Sequence, residues 1–250
     1  MTGATTGRSR RLDGLASHRM TTTNRAGRLR GRREERELAQ LVDRARTLSM
    51  VYEPQLHDLA LKVRDVVDSG VPGDLVECGV WRGGSALLMA EVLERRAATD
   101  RRVWLFDSFE GLPGPRDIDG PAAIRYAENR DDPMYLDNCR ADVEAVRASV
   151  REWGLESRTE IVKGWFDETL PATRERIGSI ALLRIDADWY ESVKTCLEEL
   201  YDDVSQGGYV ILDDYYVWDG CAVAVHEFLG SRKLAHSLHE TAAVAWFRKD

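Results

Sequence analysis

The chain has 250 residues and a mass of 28.3 kDa, with 43% hydrophobic and 31% charged residues. This length is enough for one well-buried core with a few additional helices, so we expect a single domain. The formal charge of −8 and the isoelectric point near 5.3 argue against sequence-independent nucleic-acid binding, which depends on Lys and Arg neutralising phosphates. We therefore expect an acidic protein without a nucleic-acid partner.

The cysteines show no Cys-x-x-Cys pair and no Cys/His spacing typical of zinc ligands; they are Cys78, Cys139, Cys196 and Cys221. Neither a zinc site nor a disulfide framework is expected, and a reducing compartment fits best. No apolar run approaches the roughly 18 residues that cross a bilayer, and no signal-peptide core follows the start. These features predict a cytoplasmic protein with no membrane partner.

The N-terminal 33 residues are rich in Arg, Ser, Thr and Gly and contain almost no large apolar side chain. Such a segment buries too little apolar surface to offset its ordering entropy, so 1–33 is predicted to be a disordered basic tail. An organelle transit peptide is the alternative interpretation of an Arg-rich, acid-poor start. The single domain is predicted to span 34–250 and to begin with helices within 34–70, the second of which opens at Pro54.

From residue 74 onward, short apolar strand candidates alternate with segments of helix length. This alternation predicts an α/β fold, in which a parallel sheet carries helices on both faces. Two of the candidates are apolar almost throughout, as expected for central strands that are buried on both sides. The candidates are 74–80, 102–107, 158–162, 180–186 and 209–213, with a further strand at 241–249 that we expect at the edge.

One connection is unusually long for a compact domain. It covers residues 110–136 and contains Gly, Pro and charged residues throughout. A helix is predicted to start after it, near Asp137. Connections of this length form lids, binding loops or disordered excursions. We expect a lid-like insertion, with a disordered loop as the alternative.

The segment VECGVWRGGS, residues 76–85, follows the first strand candidate. In an open parallel sheet, ligands bind outside the carboxyl ends of the strands, so this turn belongs to the candidate site. The turn lacks the dinucleotide pattern G-x-G-x-x-G because Trp81 occupies the place of the second glycine. A nucleoside without phosphates fits better than a dinucleotide. The alternative is that the three glycines have no role in binding and only allow a tight turn between a strand and a helix.

Two acids support the nucleoside interpretation. Asp107 lies at the end of the second strand candidate, where an acid accepts hydrogen bonds from ribose hydroxyls. Glu77 lies in the glycine-rich turn and is able to receive a cationic group, such as a sulfonium or an ammonium. The combination favours a cofactor that carries both a ribose and a positive charge.

Four further acids follow two neighbouring strand candidates: Asp186 and Asp188 after one, Asp213 and Asp214 after the next. Only one crossover helix lies between the two pairs, so they should be close in space. Converging carboxylates repel each other unless a cation lies among them, and oxygen-only ligands select a hard ion such as Mg²⁺. For Asp188 the favoured interpretation is the N-cap of the following helix.

Five motifs occur in order along the chain: GDLVECGVWRGGSALLMA, FDSFEGLP, KGWFDETLP, LLRIDADWYES and GGYVILDDY. From about residue 49 to 247 the sequence resembles the macrocin-type sugar O-methyltransferases of macrolide and aminocoumarin antibiotic pathways. The resemblance implies a class I methyltransferase fold, a Rossmann-like sandwich with a mostly parallel seven-stranded sheet and an N-terminal helical extension. It also implies Mg²⁺-dependent transfer of a methyl group from S-adenosylmethionine to a hydroxyl of a small molecule, a deoxysugar of a glycosylated natural product.

The same resemblance implies roles for individual residues. Asp186, Asp213 and Asp214 would bind Mg²⁺, and Asp186 would also be the general base. The segments before residue 49 and at 111–136 depart from the family, where they shape the acceptor pocket and oligomer contacts, so the acceptor and a homo-oligomer stay open. The implied cofactor-binding residues are Glu77, Gly79, Trp81, Gly83 and Ser85 at the methionine end, Asp107 and Ser108 at the ribose, and Gly164 and Trp165 at the adenine.

Two other functions remain as alternatives. Asp186-Ala187-Asp188 also matches the metal-binding D-x-D of a nucleotide-sugar glycosyltransferase. The broken glycine pattern and the shortage of Lys and Arg at the strand ends count against binding of a nucleotide diphosphate. The second alternative is a non-catalytic member of the methyltransferase fold, for which Asp186 would not be essential.

Overall fold

The computed structural model describes residues 13–250, with side chains for all but residues 13–28, 30 and 134. It divides into two units, Met1–Gln40 and Leu41–Asp250. Helix α1 (Asp13–Arg46) begins in the first unit and ends in the second. Within residues 13–250, no helix combines the length and the apolar character that a membrane span requires.

The prediction of a disordered tail is wrong for residues 13–33, which belong to α1, while residues 1–12 lie outside the described part. The stretch contains no proline and is rich in Arg, which is a good helix former, and it continues directly into the apolar pattern of 34–46. Arg33 and Glu37 add an ion pair of 2.7 Å one turn apart. Composition alone therefore underestimated the helix.

The second unit is built on one sheet with the strands β1 (Asp74–Cys78), β2 (Val103–Asp107), β3 (Thr159–Lys163), β4 (Ile180–Ile185), β5 (Val204–Leu212), β6 (His239–Thr241) and β7 (Val244–Arg248). The strand order is β3-β2-β1-β4-β5-β7-β6, and the five strands from β3 to β5 pair in parallel. β7 pairs antiparallel with β5 and with β6. The predicted mostly parallel, seven-stranded α/β sheet is confirmed.

The position predicted for the last strand is wrong, because β7 lies inside the sheet and β6 forms the edge. Ala242 and Ala243 join these two strands, and both have positive φ angles, 53° and 64°. Two consecutive residues with positive φ give the tight hairpin turn whose twist matches that of the paired strands. This turn allows residues 239–241 to pair beyond β7.

Helices cover both faces of the sheet. They are α2 (Glu53–Asp68), α3 (Gly84–Arg95), α4 (Gly120–Glu128), α5 (Val143–Trp153), α6 (Phe166–Ile177), α7 (Tyr190–Leu200) and α8 (Asp219–Ser231). α2 and α3 pack together on one face, while α6, α7 and α8 form a layer on the other. α2 confirms the helix predicted to open at Pro54. The sheet is thus buried on both sides, and its carboxyl end remains open for a site.

The insertion 110–136 is folded. It contains a 3₁₀ turn at Asp117–Asp119, then α4, and it leads into an irregular segment, Pro133–Cys139, in which residues 136–138 have left-handed φ angles of 45°, 54° and 56°. The next helix, α5, starts at Val143 rather than near Asp137, because Asp137 has a left-handed φ of 54° and Asp142 caps the helix. The Asp142 carboxylate accepts a hydrogen bond from Glu144 N at 2.9 Å.

Candidate functional site

The glycine-rich turn leaves the carboxyl end of β1 at Gly79. Its φ is 91°, and a Cβ atom at this position would lie 1.7 Å from the carbonyl oxygen of Asp186. Only glycine allows this approach of the two chain segments. The backbone of the turn therefore passes directly beside the segment that follows β4.

Asp107 holds the same turn in place. Its Oδ2 accepts hydrogen bonds from Val80 N at 2.7 Å and from Trp81 N at 2.8 Å, while its Oδ1 accepts one from Phe109 N at 2.6 Å. Burial raises the pKa of the carboxyl, and the three amide donors oppose that rise. Asp107 is therefore a structural anchor for the turn as well as a predicted ribose ligand.

Three non-glycine residues with positive φ lie at the carboxyl ends of three strands. They are Trp81 after β1, Phe109 after β2 and Asp188 after β4, with φ angles of 49°, 56° and 54°. Such conformations cost energy in residues with a side chain, and they concentrate at ligand-binding and catalytic sites. Their position marks this edge of the sheet as the functional one.

Acids from two strands meet at this edge. Asp186, Asp188 and Asp214 each place one carboxylate oxygen within 4.8 Å of the others. The sheet ladder continues just past the strands, since Asp186 N donates to Cys78 O at 2.8 Å and Asp213 N donates to Ile185 O at 3.0 Å. The structure thus brings together two of the three predicted metal ligands and adds Asp188.

The interpretation of Asp188 as a helix N-cap is wrong. The N-cap residue of α7 is Trp189, and the first free amide, Tyr190 N, donates to Asp119 Oδ1 of the insertion at 2.7 Å. The Asp188 carboxylate instead accepts a hydrogen bond from Trp218 Nε1 at 2.8 Å. Because Asp119 caps the helix, Asp188 is free to face the acid cluster.

Asp213 is held by a residue that the sequence analysis missed, Arg184 in β4. Arg184 is 2% exposed, and its Nη2 donates to Asp213 Oδ1 at 2.6 Å. Its Nη1 donates to Glu77 Oε1 at 2.6 Å and to Asp186 Oδ2 at 2.8 Å. A single Arg inside an otherwise apolar strand was the available signal, since a buried guanidinium requires carboxylate partners.

Burial raises the pKa of several of these carboxyl groups. It raises the pKa of Asp188 to about 8, with the charge of Asp186 adding to the effect. Burial raises the pKa of Asp213 to about 6 and that of Glu77 to about 7, in both cases against the opposing charge of Arg184. The pKa of Asp214 is also well above its usual range, mainly because of burial. A divalent cation would relieve this accumulation of negative charge, so these residues fit Mg²⁺.

A cavity of about 630 Å³ opens beside the acids. Six of the predicted cofactor-binding residues line it together with the acid cluster, whereas Glu77, Gly83 and Ser85 do not. Glu77 is buried beneath the cavity against Arg184, and Gly83 and Ser85 lie at the start of α3. The six that line the cavity are Gly79, Trp81, Asp107, Ser108, Gly164 and Trp165.

Two atoms near the turn lack hydrogen-bond partners among the described residues. Trp81 Nε1 is a buried donor in the cavity wall, and Glu77 Oε2 is a buried acceptor close to it in the chain. Buried polar groups in native proteins are nearly always paired. A ligand in the cavity that carries an acceptor would satisfy the Trp81 donor, as the carboxylate of a methionine moiety does.

Three aromatic side chains form a cluster above the acids. Trp189 and Trp218 are 5.0 Å apart between ring centroids, and Tyr126 of the insertion lies 6.1 Å and 5.8 Å from them. Trp189 Nε1 also donates to Pro113 O at 2.9 Å, which ties the insertion to the start of α7. The insertion therefore contributes a wall of the cavity through Tyr126.

The sequence and the fold both match known methyltransferases. The chain matches the family model of Macrocin-O-methyltransferase (TylF) over residues 7–249. It is 40% identical to the 8-demethyl-8-(2,3-dimethoxy-alpha-L-rhamnosyl)-tetracenomycin-C 4'-O-methyltransferase of Streptomyces olivaceus, over 77% of this chain and 71% of that one. It is 39% identical to the demethyldecarbamoylnovobiocin O-methyltransferase of Streptomyces niveus, over 76% of this chain and 71% of that one.

The crystallised O-methyltransferase NovP superposes with a TM-score of 0.73 at 35% identity, covering 81% of this chain and 82% of NovP. These similarities favour methyl transfer over both a glycosyltransferase and a non-catalytic protein, and they confirm the family suggested by the five motifs. The chain belongs to the macrocin O-methyltransferase family and is an S-adenosylmethionine-dependent O-methyltransferase.

Proposed function

We propose that this enzyme transfers a methyl group from S-adenosylmethionine to a hydroxyl of a deoxysugar on a glycosylated natural product, and that the reaction requires Mg²⁺. The observation that carries the proposal is a single cavity lined by the predicted cofactor residues, the acid cluster and an apolar wall. One relative is named for a rhamnosyl-bearing tetracenomycin and another for a novobiocin precursor, and both names fit such an acceptor.

The cofactor would bind along the turn that follows β1. Gly79 has no side chain, so a ligand in the cavity can approach its backbone closely. The unpaired Trp81 Nε1 would donate a hydrogen bond to the carboxylate of the methionine moiety. Asp107 and Ser108 line the same cavity and would accept hydrogen bonds from the ribose hydroxyls. Trp165, which is 38% exposed at the cavity, presents a flat ring to the adenine side.

The cation would be held by Asp186, Asp188 and Asp214, with Asp213 beside them. Their oxygen-only donor set suits a hard divalent ion, and so do the raised pKa values of Asp188 and Asp214. When bound, Mg²⁺ would make the acceptor hydroxyl more acidic and stabilise the negative charge that develops on its oxygen. Asp186 and Asp214 are two of the three predicted ligands, Asp188 is added to them, and the third predicted ligand, Asp213, lies next to them in the cavity lining.

Asp186 is the proposed general base. Arg184 donates a hydrogen bond to its Oδ2 at 2.8 Å, and the carboxylate would take the proton from the sugar hydroxyl. When bound, S-adenosylmethionine would supply an activated methyl group: the sugar oxygen would bond to the methyl carbon as the carbon–sulfur bond breaks, and S-adenosylhomocysteine would leave as the neutral thioether. The protein's main contribution is to align oxygen, carbon and sulfur, which lowers the barrier by on the order of 7 kcal/mol.

The cavity wall also favours an apolar scaffold attached to the sugar. No described residue that lines the cavity is Lys, Arg or His, so a nucleotide diphosphate would find no cationic side chain there. Tyr52 and Val217 are 70% and 60% exposed at the cavity, although large apolar side chains are usually buried. The apolar lining also includes Leu112, Pro113, Leu136 and Trp218.

The test uses one deoxysugar in three forms: linked to an apolar aglycone, free, and as the nucleoside diphosphate derivative. Each is incubated with methyl-labelled S-adenosylmethionine and Mg²⁺, and the products are identified by mass. We expect the glycoside to gain one methyl group, with loss of activity in EDTA and recovery on addition of Mg²⁺. Preferred methylation of the nucleotide sugar would refute the acceptor, and full activity in EDTA would refute the requirement for a cation.

A further inference from the structure

Arg184 occupies the centre of the sheet, directly below the acid cluster. Its register partners are Glu77 on β1 and Ile211 on β5, so the guanidinium lies between the two strands that flank β4. Burial of an ion is unfavourable unless good partners compensate for the lost hydration. Carboxylates from three chain segments supply that compensation.

The guanidinium engages one oxygen of each of two cavity-lining acids. Asp186 uses Oδ2 and Asp213 uses Oδ1, which leaves the other oxygen of each carboxylate for the cavity side. Because the guanidinium is planar and its N–H directions are fixed, it sets the orientation of the two carboxylates relative to each other. A Lys ammonium, which is a single point of charge, would not impose this arrangement.

Arg184 also supplies positive charge where the cavity itself has none. Lys, Arg and His are absent from the described cavity lining, whereas five aspartates line it. The guanidinium forms ion pairs of 2.8 Å with Asp186 and 2.6 Å with Asp213. Residues behind the ligands of a metal site orient those ligands in this way.

We propose that Arg184 is a positioning residue that pre-arranges Asp186 and Asp213 for a divalent cation. The inference rests on the proposed cation dependence of the enzyme. Arg184 touches neither the methyl group nor the acceptor in this scheme, and it acts only through the two aspartates. Its loss should therefore weaken cation binding and lower kcat, while the affinity for the cofactor changes little.

The test compares Arg184→Lys with Arg158→Lys in the full-length protein. Arg158 is a matched control, because it is 7% exposed and its Nε donates to Glu94 Oε2 at 2.6 Å, outside the cavity lining. Calorimetry measures the affinity of each variant for Mn²⁺ and, separately, for S-adenosylhomocysteine. We expect Arg184→Lys to weaken Mn²⁺ binding at least about tenfold and S-adenosylhomocysteine binding less than about threefold. Arg158→Lys should leave both affinities within about twofold, because its charge stays paired outside the cavity.

A second variant covers the case in which Arg184→Lys does not fold. The double substitution Arg184→Met with Glu77→Leu replaces the fully buried pair by apolar groups. The two remaining partners, Asp186 and Asp213, have side chains that are 27% and 15% exposed and that line the cavity, where water reaches them. It should fold and show the same loss of Mn²⁺ affinity. Unchanged Mn²⁺ binding in either folded variant would overturn the inference about Arg184. Absence of Mn²⁺ binding by the unaltered enzyme would instead overturn the cation dependence itself.

Discussion

The indole Nε1 of Trp218 donates a hydrogen bond to Asp188 Oδ1 at 2.8 Å. Trp218 and Tyr126 form an aromatic wall of the cavity, and the ring of Trp218 also packs against the buried ring of Trp189 behind them. One side chain thus joins the wall to the acid cluster. A change in the wall that moves Trp218 is transmitted to the position of the Asp188 carboxylate.

Trp218→Phe keeps an aromatic ring in the wall and removes the donor to Asp188. A hydrogen bond to a charged group contributes about 1.5–3 kcal/mol, so kcat should fall at least about tenfold. Steady-state kinetics with saturating S-adenosylmethionine measure this loss. Trp189→Phe is the matched control, since it removes only the bond to Pro113 O and should act on the KM of the acceptor. An equal loss of kcat in both variants would contradict the prediction.

Stability should depend on pH and Mg²⁺ together. Burial raises the pKa of Asp188 to about 8 and that of Asp213 to about 6, from 3.8 for each free group. The folded protein holds these protons more tightly than the unfolded chain, so their stabilising contribution is complete below about pH 4 and is lost as the pH rises to about 8. A cation competes with the same protons, and its affinity therefore rises over this range.

Thermal unfolding with and without Mg²⁺ measures this linkage. The increase in Tm caused by a fixed Mg²⁺ concentration should be larger at about pH 8 than at about pH 5.5. A concentration of 100 times Kd corresponds to about 2.7 kcal/mol of added stability. The comparison at each pH cancels the effects of all other titrating groups. An equal shift in Tm at both pH values would show that these carboxyl groups do not bind the ion.

The strands and the candidate edge could be predicted because their signals are local. β4 and β5 are apolar runs that end in aspartates, and parallel strands bring such ends to one edge of the sheet. Helix α2 follows from Pro54 and its apolar periodicity. The alternation of strand and helix segments, together with the residues that end them, therefore predicted the edge of the sheet at which the candidate site lies.

The pairing of the site residues could not be predicted, because it depends on contacts between residues that are distant in the chain. Arg184 bonds Glu77 across 107 positions, and Asp119 caps α7 from 71 positions away. The contact between Asp119 and the start of α7 is not visible in the sequence, so Asp188 was the nearest candidate for the N-cap of this helix. Trp218 was missed for the same reason, since its partner Asp188 precedes it by 30 positions.

Asp214→Asn should separate cation binding from cofactor binding. Asp214 Oδ2 accepts a hydrogen bond from Asp188 N at 3.0 Å, and the amide oxygen of Asn is able to keep that bond while the charge is lost. We expect kcat to fall about a hundredfold and S-adenosylhomocysteine affinity to stay within about tenfold, as measured by calorimetry. Asp74→Asn is the control, because Asp74 lies at the opposite end of β1, bonded to Trp104 Nε1 at 2.7 Å. A comparable loss in Asp74→Asn would point to a general effect of charge removal.

Val217→Ser should weaken binding of the acceptor's apolar part. Val217 is 60% exposed at the cavity, so the change should alter the free energy of unfolding by less than about 0.5 kcal/mol. Loss of about 1 kcal/mol of apolar contact raises the KM of a glycoside acceptor about fivefold and leaves the KM of S-adenosylmethionine unchanged. Leu61→Ser, at an exposed position on α2 outside the cavity lining, should change neither KM. A KM for the glycoside that is insensitive to Val217→Ser would remove this residue from the acceptor site.

Gly79→Ala should be far more damaging than Gly154→Ala, although both glycines have positive φ, 91° and 69°. The methyl group at residue 154 meets no atom within 4 Å. This variant therefore loses only about 1–2 kcal/mol of the free energy of unfolding, which is the cost of a left-handed backbone in a residue with a Cβ atom. At residue 79 the methyl group would lie 1.7 Å from Asp186 O, which forces β1 and the segment after β4 apart. Urea unfolding should therefore show a loss at least about twice as large for Gly79→Ala, together with reduced Mn²⁺ binding because Asp186 moves. Similar losses of stability in the two variants would mean that the close contact between these two segments is relaxed in solution.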